Sequence, residues 1–224
     1  MLDKDGVNNT SADKIQELIE EKFAFDNFKS QLEKGVLVTE KTRADGLHRV
    51  LYRCPNCKKE GKTIGKGETL TCEACGKVYR MQENGQMKAD SGETEFSHIP
   101  DWFAWQRECV KNEILSGEYK TEIEVDIGAI YDYKSFYMLG NGTLRHDEDG
   151  FYLVGDNGKL EYSQPPLYSY SVNSDFYWYE GDDVVSIGNS EILFYCFPKD
   201  KTPVAKIRLA TEELYKIFKE KKKI

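Results

Sequence analysis

The sequence predicts an α+β fold: N-terminal helices, then a four-cysteine ribbon, then an antiparallel β-barrel or sandwich closed by a C-terminal helix. Three observations carry this. Apolar residues recur at helical spacing over Ile15–Leu32 and again over Trp102–Leu115. Two Cys-x2-Cys pairs, Cys54/Cys57 and Cys72/Cys75, stand fourteen residues apart. From Tyr119 onward the apolar period changes from 3.6 to 2. The organisation expected is a helical lead-in (1–47), a ribbon (48–89), a linker with a bracket helix (90–117) and a β domain (118–224).

Residues 1–9 are polar and are expected to be loose. Thr10-Ser11-Ala12-Asp13 looks like a helix start, with a hydroxyl cap and an acid following it. Ile15, Leu18, Ile19 and Phe23 then share one helical face, and Phe25, Phe28 and Leu32 continue the stripe to Gly35, a C-terminal cap. So short an amphipathic pair has little core of its own, so it is expected to pack against a neighbouring domain or a partner.

In the ribbon, a Cys-x2-Cys, a gap of about 15 to 20 residues and a second Cys-x2-Cys is a zinc-site spacing. Cys54, Cys57, Cys72 and Cys75 are therefore the expected ligands of one structural Zn²⁺, since four thiolates leave no open coordination position. Arg49–Tyr52 and Lys77–Met81 are expected to be short and β-prone. The intervening Gly61, Gly65 and Gly67 superficially resemble a phosphate loop. The motif needs Gly-x4-Gly-Lys-Ser/Thr, and Glu60 stands at the first glycine position with Gly67 at the hydroxyl position. Nucleotide binding is excluded and a ribbon loop expected. Cys109 and Cys196 have no Cys or His neighbour at ligand spacing and read as small buried hydrophobes.

Asp90–Glu95 is a polar linker. Pro100-Asp101 opens a helix that Ser116-Gly117 ends. Its Trp102, Phe103, Trp105, Val110, Ile114 and Leu115 suit a bracket between modules. Beyond it, Ile123, Val125 and Ile127 alternate with acids. Further strands are expected at 135–139, 143–146, 151–154, 159–163, 167–172, 176–179, 184–187, 191–197 and 204–209, with hairpins at Asn141-Gly142 and Asn157-Gly158. A helix over 211–221 closes the chain. A pleckstrin-homology-like barrel has this layout, as a topological analogy. The dense aromatics Tyr168, Tyr170, Phe176, Tyr177, Trp178 and Tyr179 suit a ligand platform, but barrel core and edge packing accounts for them more simply.

The net charge is −8, yet residues 48–89 carry nine Lys and Arg against four Asp and Glu. Four thiolates around Zn²⁺ cancel part of that excess, so no strong nucleic-acid footprint is expected. No apolar run approaches the ~20 residues of a membrane span, and the N-terminus lacks the apolar stretch of a signal peptide. A reducing cytosol, where paired cysteines favour metal over disulfide, is the expected location.

A catalytic centre is hard to assemble. His48 flanks the first knuckle and suits a group behind the metal ligands, His98 suits a helix cap, and His146 an exposed hairpin end. Asp147, Glu148 and Asp149 lack the alternating ligand positions of an EF-hand. There is no Gly-x-Ser-x-Gly elbow.

Several stretches carry a family likeness. They are Ala44–Tyr52 running into Cys54-Pro55-Asn56-Cys57, Gly92–Trp102, Asp149-Gly150-Phe151, Gly158-Lys159-Leu160 and Arg208–Tyr215. Together they resemble the C-terminal extension of bacterial 1-acylglycerol-3-phosphate acyltransferase-like proteins, from about Asp13 to the last helix. The resemblance implies phospholipid synthesis by an upstream domain whose His-x4-Asp motif activates the acceptor hydroxyl. Five residues after His48, His98 and His146 stand Arg53, Phe103 and Phe151, so no catalytic residue carries over. The resemblance thus implies a non-catalytic, zinc-stapled accessory region, either an excised fragment or a stand-alone relative. It would contact an upstream acyltransferase domain, another protein, or the inner membrane face peripherally. The alternative is a stand-alone zinc-ribbon module that binds nucleic acid or an anionic membrane. Only Lys134 within 131–141 and the terminal Lys221-Lys222-Lys223 would serve a membrane.

Overall fold

The computed structural model describes residues 3–132, 134–178 and 182–222. Its lead-in has three short helices, each started by a side-chain cap. Asp3 accepts from the Gly6 N–H (2.7 Å) and opens α1 (Lys4–Asn8), so residues expected to be loose form a helical turn. Ser11 opens α2 (Ala12–Phe23) and Asp26 opens α3 (Asn27–Glu33). The single stripe expected over 15–32 is broken because Asp26 caps a new helix. Gly35 follows α3 in the left-handed region, at φ +63°.

The ribbon is a four-stranded antiparallel sheet in chain order: β1 (Thr63–Lys66), β2 (Thr69–Cys72), β3 (Val78–Met81) and β4 (Met87–Ala89). The glycine-rich gap is the β1–β2 hairpin, which turns at Gly67 (φ +64°). No helix follows it to receive a phosphate. Arg49–Tyr52, expected to be β-prone, forms no strand: Arg49 ends a 3₁₀ turn over Leu47–Arg49, and the chain runs from there into the first knuckle.

Helix α4 (Ile99–Leu115) grips that lead-in. The buried Gln106 accepts from the Arg53 N–H (2.9 Å) and donates to the Val50 carbonyl (3.0 Å). Trp102 donates its indole N–H to the Arg53 carbonyl (3.0 Å) and meets Tyr79 edge-on, ring centroids 4.9 Å apart. Leu51, Leu70, Tyr79, Met87 and Trp102 form the ribbon core.

The second sheet has strands β5 (Thr121–Tyr131), β6 (Ser135–Asp147), β7 (Gly150–Gly155), β8 (Leu160–Gln164), β9 (Asn173–Asp175), β10 (Val184–Gly188) and β11 (Ile192–Pro198). Its order is β8-β7-β6-β5-β11-β10-β9, antiparallel throughout. The edges β8 and β9 do not pair, so this is an open sheet and the expected closed barrel does not form. It coils enough for Gln164, ending β8, to accept from the Gly188 N–H (3.3 Å). Helix α5 (Val204–Lys221) packs Val204 and Ile207 into the concave core with Val125, Ile127, Leu153, Val185 and Phe194.

Several expected elements differ. Residues 135–139 and 143–146 are one strand, because β5 runs unbroken opposite them. Gly142 stands mid-strand because a Cβ there would collide with the Val154 carbonyl and the Ile127 side chain, not because the chain turns. Residues 167–172 form no strand, and the extended segment falls at Asn173–Asp175 instead of 176–179, of which Tyr179 lies outside the described residues. Residues 204–209 are helical. This helix is buried on two sides, since Ala205, Leu209 and Leu214 pack against Tyr52, Val110 and Tyr119 while Ile207 faces the sheet. Two-sided burial produces an apolar pattern that imitates a strand.

His146, expected at an exposed end, is 1% accessible. It lies 2.8 Å from the Tyr119 hydroxyl and stacks on Phe151 with centroids 3.9 Å apart. Burial holds its imidazole down to about 3. An unfolded imidazole titrates near ~6.5, so below that pH the unfolded chain takes up a proton that the folded chain refuses. The stability is complete above pH ~6.5 and falls by about 1.4 kcal/mol per pH unit below it. Urea unfolding between about pH 6.5 and 4.5 should show a flatter decline in His146→Phe than in wild type; equal slopes would refute the buried neutral ring.

Candidate metal centre

The two cysteine pairs sit on matching knuckles. The Lys58 N–H donates to the Cys54 carbonyl (2.9 Å), and the Gly76 N–H to the Cys72 carbonyl (2.8 Å). Lys58 and Gly76 both take positive φ, +64° and +72°. The Cys54 N–H donates to the Lys59 carbonyl (3.0 Å) and the Cys72 N–H to the Lys77 carbonyl (2.9 Å), so each turn is tied in the same way. A lysine in the left-handed region costs on the order of 1 kcal/mol. Lys58 is held there by its ammonium, which donates to the Pro55 carbonyl and lies 4.8 Å over the Trp105 ring.

These turns aim polar hydrogens at sulfur. Peptide N–H groups of Cys57 and Asn56 point at the Cys54 sulfur, and those of Cys75 and Ala74 at the Cys72 sulfur. The Asn56 amide donates to the Cys75 sulfur (3.4 Å), as does the Lys77 N–H. All four ligand atoms lie within 4.8 Å of one another, with Cys54–Cys75 at 3.8 Å and Cys57–Cys72 at 3.7 Å. Burial pushes the Cys54 and Cys72 thiols up. For Cys75 burial acts in the same sense, but the Asn56 and Lys77 donors bring it down to about 6. Gathering four sulfurs where two resist ionisation is unfavourable without a cation, and a metal ion resolves the conflict. All four ligands expected from the sequence converge, and among the described residues they are the one such grouping of Cys, His, Asp and Glu.

The other candidates lie elsewhere. His48 does not stand behind the ligands: its Nδ1 accepts from the Gly65 N–H (3.0 Å), locking β1 to the lead-in, and burial, then Arg49 and Lys201, lowers its pKa. His98 holds the N-cap position of α4 without a side-chain cap, and its ring joins Asp26 (2.9 Å) to Asp101 (3.2 Å). Asp147 pairs with Arg145 (3.1 Å) and accepts from the Asp149 N–H (3.0 Å). Cys196 is buried in the sheet core, whereas Cys109 is half-buried. The aromatics do not form one platform. Phe176 joins the core and Tyr177 carries Arg49, while Trp178 packs on Phe136, Tyr195 and Phe197. A cleft of about 290 Å³ between ribbon and sheet is lined by His48, Arg49, Asp183 and Lys201, but Arg49 is ion-paired with Asp183.

Sequence reading missed Asn56, Lys58 and Gln106. Gly76 was a legible signal for the second turn; Lys58 fills the same place without glycine's signature.

No protein-family model and no curated protein matches this chain.

Mass spectrometry under native conditions should find one metal ion per chain, and none in Cys72→Ser. The mutant ribbon should lose stability by several kcal/mol, on the order of half or more of a small domain's total. Trp102 and Trp105 fluorescence should report it. A ribbon fully folded without metal would refute the site's structural role.

Proposed function

We propose that this chain is a non-catalytic binding module in which a structural zinc ion staples together the two knuckles of the ribbon that α4 grips through Trp102 and Gln106. Zinc is supported by geometry: a tetrahedron with Zn–S near ~2.3 Å has edges near ~3.8 Å. Two of the six S···S separations, 3.7 and 3.8 Å, are at that edge length, and all six are within 4.8 Å. Four sulfurs close the coordination sphere, so this ion has no place for substrate.

The observation that carries the reading is α2. None of its residues is buried, and Phe23 is 84% exposed. An amphipathic helix with an unfilled apolar face is built for another surface. Among the described residues the three histidines each have structural neighbours. Gly65 engages His48, Asp26 and Asp101 hold His98, and Tyr119 with Phe151 encloses His146. On the resemblance to acyltransferase extensions, the surface that receives Ile15, Leu18, Ile19 and Phe23 belongs to an upstream acyltransferase-like domain serving phospholipid synthesis. The chain is then its accessory region, working in the cytoplasm or peripherally at the inner membrane face. Among the described residues no helix is long and apolar enough to cross a membrane.

Nucleic acid binding draws less support. Much of the ribbon's cationic excess is spent internally, with Arg49 on Asp183, Arg53 on Glu60 and Glu113, Lys77 on Glu95, and Arg80 on Asp90. For an anionic membrane, Lys134 stands alone within 131–141, and Lys219, Lys221 and Lys222 make one short basic end of α5 with Glu220 among them; Lys223 lies outside the described residues.

The purified chain should transfer no acyl group from an acyl carrier to lysophosphatidate and should not sediment with anionic vesicles. Ile19→Asp with Phe23→Asp should leave its melting temperature within about 2 °C, because neither residue is buried, yet abolish co-purification with an acyltransferase-like domain. Acyl transfer by the chain alone would overturn the proposal.

A further inference from the structure

The chain holds three Asn-Gly pairs, at 84–85, 141–142 and 157–158. Asparagine followed by glycine is chemically labile, because the glycine nitrogen attacks the asparagine side chain and no Cβ stands in its way. The attack closes a succinimide ring. It needs open space over the glycine, a side-chain amide free to turn, and a backbone free to bend.

Two of the pairs are held away from it. Asn84 ties its side chain to Gln86, accepting from the backbone N–H (3.1 Å) and donating to the Gln86 Oε1 (3.5 Å). Gly85 donates its own N–H to the Gln82 carbonyl (3.0 Å). Helix α3 fills the space beside it, where a Cβ would meet Gln31 (2.8 Å) and Phe28 (3.1 Å). Asn141 and Gly142 lie in the β6 ladder opposite Asp126 and Val125 of β5, and Gly142 also faces Gly155 of β7. The Val154 carbonyl and the Ile127 side chain take the space over Gly142.

The third pair differs in each respect. Asn157 is exposed in the turn that joins β7 to β8, and among the described residues its side-chain amide has no hydrogen-bond partner. A Cβ on Gly158 would meet nothing within 4 Å. The backbone is left-handed at three successive residues, with φ +46° at Asp156, +55° at Asn157 and +87° at Gly158. That conformation is a poor one for residues that carry a Cβ. The Lys159 N–H closes the turn on the Asp156 carbonyl (3.2 Å).

We propose that Asn157 is a site of spontaneous modification, at which the folded chain converts asparagine to aspartate and isoaspartate. The Gly158 nitrogen bonds to the Asn157 Cγ. The Cγ–Nδ2 bond breaks, and ammonia leaves carrying the proton that the Gly158 nitrogen gave up. Water then opens the succinimide. Cleavage between Cγ and the Gly158 nitrogen gives aspartate. Cleavage between the main-chain carbonyl carbon and that nitrogen leaves the chain running through Cγ, as isoaspartate. The sum is one water consumed and one ammonia released. Either product places a new carboxylate beside Asp156. Isoaspartate also adds a backbone carbon to the connection between Gly155 and Leu160, which face each other in the ladder. That connection leads into β8, an edge strand whose one neighbour is β7, so the conversion acts on the register of β8. The proposal is independent of the zinc and acyltransferase readings.

The purified full chain, kept in warm, mildly alkaline buffer and then digested for chromatography and mass spectrometry, tests this. Asn157 should convert at least about tenfold faster than Asn84 or Asn141, with both isoaspartate and aspartate formed. In urea the three should convert at comparable rates, because folded structure is what separates them. Asn157→Ser should abolish the acidic species that accumulates on ion exchange and leave the far-UV circular dichroism unchanged. Conversion at Asn84 or Asn141 as fast as at Asn157 in the folded chain overturns the proposal. So does an Asn157 that stays intact in the folded chain, or a product that is aspartate alone, which marks direct hydrolysis without the ring.

Discussion

Arg53 is the residue through which the metal knuckle and the rest of the chain hold each other. Its backbone N–H is taken by Gln106 and its carbonyl by Trp102, both from α4. Its guanidinium reaches Glu113 on α4 (2.7 Å) and Glu60 on the ribbon (3.2 Å). Lys206 of α5 completes a ring by pairing with Glu60 (2.8 Å) and Glu113 (2.7 Å). Cys54 is the next residue. A knuckle built by two short turns would otherwise hang from a flexible lead-in, and this ring fixes its first ligand relative to both helices.

The ring also explains how modules of unlike architecture are joined. The apolar contact among Tyr52, Val110, Tyr119, Ala205, Leu209 and Leu214 supplies affinity but little direction. Four alternating charges supply direction, because losing one partner leaves an uncompensated charge in a partly buried place. A second set, Arg107 with Glu212 (2.7 Å) and Glu213 (2.9 Å), repeats the device nearly two turns earlier along α4. We read the polar contacts as setting the angle between helices that the apolar contacts hold together.

The parts legible in the sequence were those whose physics is local. The cysteine spacing needs only two turns, and the capping residues Ser11 and Gly35 act within one. The bracket helix was legible because Pro100 and Gly117 bound it. The failures were non-local. Asn141-Gly142 has hairpin chemistry, yet β5 opposite is long enough to keep the strand going, and Gly142 serves packing against Val154 and Ile127. The start of α5 alternates like a strand because two different neighbours bury it. His146 lies among acids in the sequence, but its ring turns inward between Tyr119 and Phe151. In each case a distant segment decides the outcome, and no window around the residue contains it.

The distribution of unfinished surface follows from the same constraints. Between ribbon, α4, α5 and sheet the elements are joined by apolar contact and by alternating charges, with the buried Tyr52 hydroxyl and Arg53 Nε left without a hydrogen-bond partner among the described residues. Exposed apolar side chains lie outside that frame, among them Ile19 and Phe23 on α2, Phe25, Val36 and Leu37 in the lead-in, and Phe136 to Leu139 on the overhang of β6 past the end of β7. Neither α2 nor the overhang bears on the internal frame, since α2 buries nothing of its own and the overhang extends past the neighbour that would cover it. A surface costs solubility when left open and contributes no stability to the free chain, so stability alone does not account for either one. For α2, association with the proposed partner does. The rigid frame is what lets that surface be presented without unfolding what carries it.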